Sequence, residues 1–195
     1  MQSTLQAKTN IFKLTAAAIL TAVGIIIPMF MPLRISIEPA SYTFASHVVL
    51  FLAMFISPKV AAAVVLGTTT GFFLGGFPPT VVFRAASHII FVMAGAMYLQ
   101  RINKFELKGV RLRIFSLVLA LIHGGAEFLA VIAFYSFAPE MGMHMVFRRG
   151  GLFFTFFLLV GVGSVIHSLV DFELAMIIKR VLARQESFRK LTSNA

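Results

Sequence analysis

The chain is a succession of long apolar runs separated by short polar breaks, and most of the runs have the length of a membrane-spanning helix. Six segments stand out: residues 12–32, 42–56, 58–75, 80–99, 114–137 and 152–178. Crossing about 30 Å of hydrocarbon takes about 20 apolar residues, so the second segment is short for a span. The breaks carry helix-stop chemistry. Ser57-Pro58 suits the first turn of a new helix, and Gly75-Gly76-Phe77-Pro78-Pro79 is a stop followed by a restart. The first connection, residues 33–41, holds Arg34, Glu38 and Pro39, and residues 100–113 are the most polar internal stretch. Glu140, His144, Arg148 and Arg149 precede the last segment. The first segment is too long, and too quickly followed by others, to read as a removable signal. The expected fold is an all-α membrane protein, a compact bundle of six transmembrane helices over residues 12–180. A short N-terminal segment (1–11) and a charged tail (181–195) flank it, and there is no internal repeat.

Composition strengthens this picture and charge gives it an orientation. Of 195 residues 59% are hydrophobic and 12% charged, with a mean hydropathy of +0.94, values that exclude an ordinary soluble domain. The net charge of +10 sorts by segment. One side of the predicted bundle holds 13 basic residues: Lys8, Lys13, Lys59, Arg101, Lys104, Lys108, Arg111, Arg113, Lys179, Arg180, Arg184, Arg189 and Lys190. The other holds Arg34, Arg148 and Arg149, and Arg84 remains inside a span. Basic loops stay in the cytoplasm, so both termini are expected there and the number of spans is even. The basic balance thus describes topology and anionic lipid, with no nucleic acid required. Absence of Cys excludes disulfides and thiolate metal sites.

Two stripes of small residues are candidate contact faces: Ala63, Gly67, Gly71 and Gly75 on the third segment, and Ala18 and Ala22 on the first. The former suits contact between the chain's own helices; the latter serves an internal contact or a partner subunit equally well. Ionisable groups in a span cost roughly 2.5–3.5 kcal/mol, so those present need partners or a task. Three i, i+4 pairs meet that description: Arg84 with His88, His123 with Glu127, and His167 with Asp171. Depth along the segments places Arg84, His88, His47 and Glu127 around an outward cavity with residues 33–41 as its lid. His167 and Asp171 fall in the inner half, as a polar clasp. Arg84 either receives a carboxylate ligand or forms a buried ion pair with Glu127. His123 and Glu127 offer two metal ligands on one face, but no third follows at a characteristic spacing, so no metal site is expected. No protease, hydrolase or P-loop motif appears, and neither an enzyme nor direct ATP binding is expected.

The stretch Pro39-Ala-Ser-Tyr42-Thr-Phe-Ala-Ser-His47, the run Ala-Met-Phe-Ile-Ser-Pro58, the turn Gly75-Gly-Phe-Pro-Pro79, and Arg84-Ala-Ala-Ser-His88 resemble the substrate-binding S components of energy-coupling factor (ECF) vitamin transporters, most of all the niacin type. The resemblance covers about residues 12–180. It implies a multi-pass protein of the bacterial cell membrane that captures a vitamin outside and delivers it inward. Its partners would be a transmembrane coupling subunit, docked on Ala18 and Ala22, and two cytoplasmic ATPases that use the ATP; the chain itself would bind no cofactor. Ligand contacts would fall on Arg84, His88 and Glu127, with His47, Tyr42 and His123 beside them. Nicotinate, with a carboxylate for Arg84, fits the subtype; pantothenate or a pyridoxine-type compound remains an alternative ligand, and a structural assembly protein remains the alternative class.

Overall fold

Hydrogen bonding carries the helices beyond the apolar runs at several ends, because a turn that is already nucleated extends through polar residues at little cost. In the computed structural model, which describes residues 2–37, 39–102, 107–141, 151 and 153–185, with only the backbone of 2–6 and 8, α1 runs over Gln2–Phe30. It is followed by α2 (Val48–Ile56), α3 (Pro58–Leu74), α4 (Pro79–Arg101), α5 (Gly109–Phe137) and α6 (Gly163–Leu182). A π-helical stretch, Phe153–Val162, leads directly into α6. Glu38, Lys104, His144, Arg148, Arg149, Leu152, Arg189 and Lys190 lie outside the described residues.

The second segment departs most from expectation. Arg34–Ile37 (β1) and Ala40–Thr43 (β2) form an antiparallel hairpin with Arg34 opposite Thr43 and Ile37 opposite Ala40. A turn over residues 44–47 follows, with Ala45 at a φ of 67°. Tyr42 is therefore on a strand, and His47 immediately precedes a helix of only nine residues. At 1.5 Å per residue α2 is about 13 Å long, less than half a bilayer core. All nine of its residues are buried. A helix apolar on every side belongs inside protein, and α2 is the axis about which α1, α3, α4 and α6 assemble. Phe51, Phe55, Phe91 and Phe172 are among the largest side chains it gathers.

The third segment behaves as expected at its start: Ser57 accepts the Val60 N–H at 3.3 Å, and Pro58 occupies the first turn. Its small-residue stripe works only in the middle. A Cβ on Gly67 would come within 2.6 Å of Thr21, and one on Gly71 would collide with Ile25, so these two glycines let α1 and α3 touch. Ala63 and Gly75 at the ends of the stripe are exposed. Ala18 and Ala22 lie on the outer face of α1, also exposed, while Ala17, Gly24 and Pro28 face inward.

Among the described residues four helices are long and apolar enough to cross a membrane: Thr9–Phe30, Pro79–Arg101, Gly109–Phe137 and Phe153–Leu182. The shorter α3 is apolar over 17 residues. Leu14, Leu66, Phe73 and Leu129 stand outward on these helices, as lipid-facing residues do. The protein is a multi-pass, all-α membrane protein with one hairpin between its first two helices.

Candidate functional site

Each ionisable pair reaches the interior because its residues are four apart on one helical face, and the structure turns all three faces toward the N-terminal end of α2. From α5, Glu127 is the hub. Arg84 Nη2 of α4 donates to its Oε2 at 2.8 Å, and His88 Nε2 faces its Oε1 at 3.0 Å. The Ser164 hydroxyl of α6 donates to Oε2 as well. His123 Nε2 stands 3.5 Å from Oε1. The carboxylate side chain is 2% exposed and the guanidinium 5%, so this is a fully desolvated ion pair, the second of the two roles open to Arg84 in the sequence. Its remaining donors are not exhausted. Nη1 reaches the Ser41 carbonyl at 3.3 Å and the Pro39 carbonyl at 3.5 Å, while Nε has no partner among the described residues.

His167 and Asp171 do not form a separate clasp deeper in the membrane. The combined helix Phe153–Leu182 has its midpoint beside His167, and Gly109–Phe137 has its midpoint at His123, so both pairs lie in one layer. Asp171 accepts the backbone N–H groups of Ala45 and His47, both at 2.9 Å, and faces His47 Nδ1 at 3.1 Å. It thereby supplies the anion at the start of α2 that no side chain of the turn supplies. The left-handed backbone of Ala45 is held in place by this bond. His47 then bridges the two carboxylate systems, its Nε2 lying 3.4 Å from His88 Nε2. The ring centroids of His88, His123 and His167 lie 4.7, 4.6 and 4.9 Å from that of His47.

A cavity of about 110 Å³ lies against this layer. The hairpin contributes Arg34, Pro39 and Ser41 to its wall, in the place expected for a lid; α1 and α3 contribute Pro28 and Phe72. Arg84, His88, Glu127 and His47 line it from the other side. Two expected site residues do not reach it. His123 is wholly buried behind Glu127. Tyr42 instead supports the wall: Arg84 Cζ lies 5.5 Å from its ring centroid, and its hydroxyl donates to the Leu159 carbonyl. The π-helical stretch and Gly163 admit this ring, since a Cβ at position 163 would collide with the hydroxyl.

Two contributors escaped the sequence. Ser164 shares a face with His167 and Asp171 at i, i+3 and i+7, a signal that was present but is common among helical serines. Arg34, counted as an external loop charge, lines the cavity because the hairpin folds back over it.

The chain is 40% identical over 183 residues to the niacin transporter NiaX of Lactococcus lactis subsp. cremoris (strain MG1363), spanning 94% of this chain and 80% of that protein. No protein-family model matches the chain, and no solved structure does. Identity of that level along almost the whole length, in a helical membrane bundle with a cavity beside its buried polar layer, means that the chain belongs to the niacin-type S components of ECF vitamin transporters.

Proposed function

We propose that the protein captures nicotinate from outside the cell in the cavity beneath the hairpin and hands it inward as the substrate-binding subunit of an ECF importer. The observation that carries this reading is the cavity itself: about 110 Å³, bordered by the buried Arg84 and by Arg34, in a relative of a niacin transporter. Nicotinate is a flat ring with one carboxylate. The guanidinium of Arg84, which lines the cavity, can donate to that carboxylate, while His88 offers a hydrogen-bonding partner at the ring nitrogen.

Delivery rests on parts outside this chain. The exposed Ala18 and Ala22 provide the face of α1 that docks on a transmembrane coupling subunit, and two partner ATPases hydrolyse the ATP. The chain itself takes no nucleotide. In this topology both termini are cytoplasmic, and residues 12–180 form the substrate-binding domain. The hairpin and α2 together make the second of six crossings. Lys59, Arg101, Lys108 and Lys179 fall at the ends of α3, α4, α5 and α6 that meet on the cytoplasmic side.

Calorimetric titration of the detergent-purified protein tests the assignment. Nicotinate should bind with micromolar or tighter affinity, and nicotinamide, which lacks the charge, at least about 10-fold more weakly. Equal binding of the two would remove Arg84 as the discriminating group, and no binding of either would remove niacin as the substrate.

A further inference from the structure

We propose that His47, His88, His123 and Glu127 form a binding site for one divalent transition-metal ion of the zinc class. The ligands come from three separate elements, the start of α2, α4 and α5, and their donor atoms all lie within 4.8 Å of one another. In a tetrahedral site with ligands about 2.0–2.1 Å from the metal, neighbouring donor atoms stand about 3.3–3.4 Å apart. His47 Nε2 and His88 Nε2 are separated by 3.4 Å, His88 Nε2 and Glu127 Oε1 by 3.0 Å, and His123 Nε2 and Glu127 Oε1 by 3.5 Å.

Hydrogen bonding alone leaves this cluster incomplete. A neutral imidazole has one N–H and one lone pair. With the Nδ1 proton of His47 directed to Asp171, its Nε2 lone pair points to His88, whose own Nε2 already faces Glu127. One proton at His88 Nε2 has to serve both neighbours. His123 is 0% exposed, and neither of its ring nitrogens has a hydrogen-bond partner among the described residues. Such an orphaned polar ring is costly in a membrane protein's interior, and a metal ion satisfies it directly.

Charge points the same way. Around neutral imidazoles, the buried layer holds two carboxylates, Glu127 and Asp171, against one guanidinium, Arg84. A divalent cation reverses that deficit. Asp171 is placed as an outer partner: it orients His47 through Nδ1, the carboxylate–histidine–metal arrangement that fixes a ligand's tautomer. An imidazole-rich set selects zinc, nickel, cobalt or copper over magnesium and calcium.

The test needs no vitamin, so it stands or falls apart from the nicotinate assignment. Protein carrying an affinity tag without histidines is stripped with chelator and titrated with Co²⁺, whose visible absorption reports tetrahedral nitrogen and oxygen ligation, then with Zn²⁺ as competitor. About one equivalent should bind, with bands that Zn²⁺ abolishes. His123→Gln should weaken binding at least about 10-fold, whereas His167→Gln, on the far side of Asp171, should leave the bands in place. Wild-type protein that binds no Co²⁺, or one in which His167→Gln is as damaging as His123→Gln, overturns the proposal. Absence of Co²⁺ binding by the wild type overturns the proposal even if a variant fails to fold.

Discussion

The two ends of α2 occupy opposite surroundings. At its start, His47 meets Asp171 and His88, with the Phe91 ring beside them. At its end, Phe55 is 1% exposed within a cluster of apolar side chains, with the Lys179 ammonium 3.5 Å from its ring centroid. Both ends are equally dry, yet they tolerate change by different rules. The apolar end is held by shape, so what matters there is volume. The polar end is held by pairing, so what matters there is whether each buried charge and donor keeps its complement. The first kind of region gives rigidity; the second can exchange an internal partner for a ligand.

Charge removal at the polar end should have the largest effect. Arg84→Ala should lower nicotinate affinity by about 100-fold or more and also destabilise the fold by about 3–5 kcal/mol, because the Glu127 carboxylate is left buried without the guanidinium that balances its charge. Adding Glu127→Gln should restore much of the melting temperature but not the binding. Recovery of binding in the double variant, measured by calorimetry, would mean that Arg84 serves only the ion pair. At the apolar end, Phe55→Ala should cost about 3–5 kcal/mol in thermal or denaturant unfolding. The protein that remains folded should still bind nicotinate normally, and a matching loss of affinity would erase the distinction between the two ends.

A smaller pair of changes separates packing from residue type. A Cβ on Gly124 would meet the Gly161 carbonyl oxygen at 2.7 Å, whereas one on Gly125 meets nothing within 4 Å. Gly124→Ala should therefore destabilise by about 1–3 kcal/mol. Gly125→Ala should fall within about 0.5 kcal/mol of the parent in the same melting assay. Last, Ala18→Trp on the exposed face of α1 should leave stability and nicotinate binding of the isolated protein unchanged. Its effect should appear only in vesicles containing the complete transporter, as loss of ATP-driven uptake. Normal uptake would exclude this face as the docking surface.

Much of this was legible along the chain. Apolar run lengths located the long helices, and Ser57-Pro58 and Gly75-Gly76 located two of the breaks, because these features act over a few residues. The i, i+4 spacing marked Arg84, His88, His123 and Glu127 as sharing interior faces. The hairpin was not legible, since Arg34–Ile37 and Ala40–Thr43 are short and their pairing depends on the helices around them. The separation by depth also failed. It assumed six spans entering the membrane at equal levels, whereas α2 begins beside the layer that contains His123 and His167.

Sequence by itself determined that the chain is a helical membrane protein, which faces carry its costly polar groups, and the family it resembles. The first two follow from hydrophobic run length and helical periodicity, both local properties; the resemblance rests on short stretches such as Gly75–Pro79 and Arg84–His88. Only the tertiary structure decided that Glu127 pairs with Arg84, that Asp171 caps α2 instead of forming a separate clasp, and that four imidazoles crowd into one layer. The reason is geometric. A helix fixes the face on which a side chain lies, but not which other helix that face will meet, and in a dry interior the meeting partner sets a polar group's energy and its chemistry.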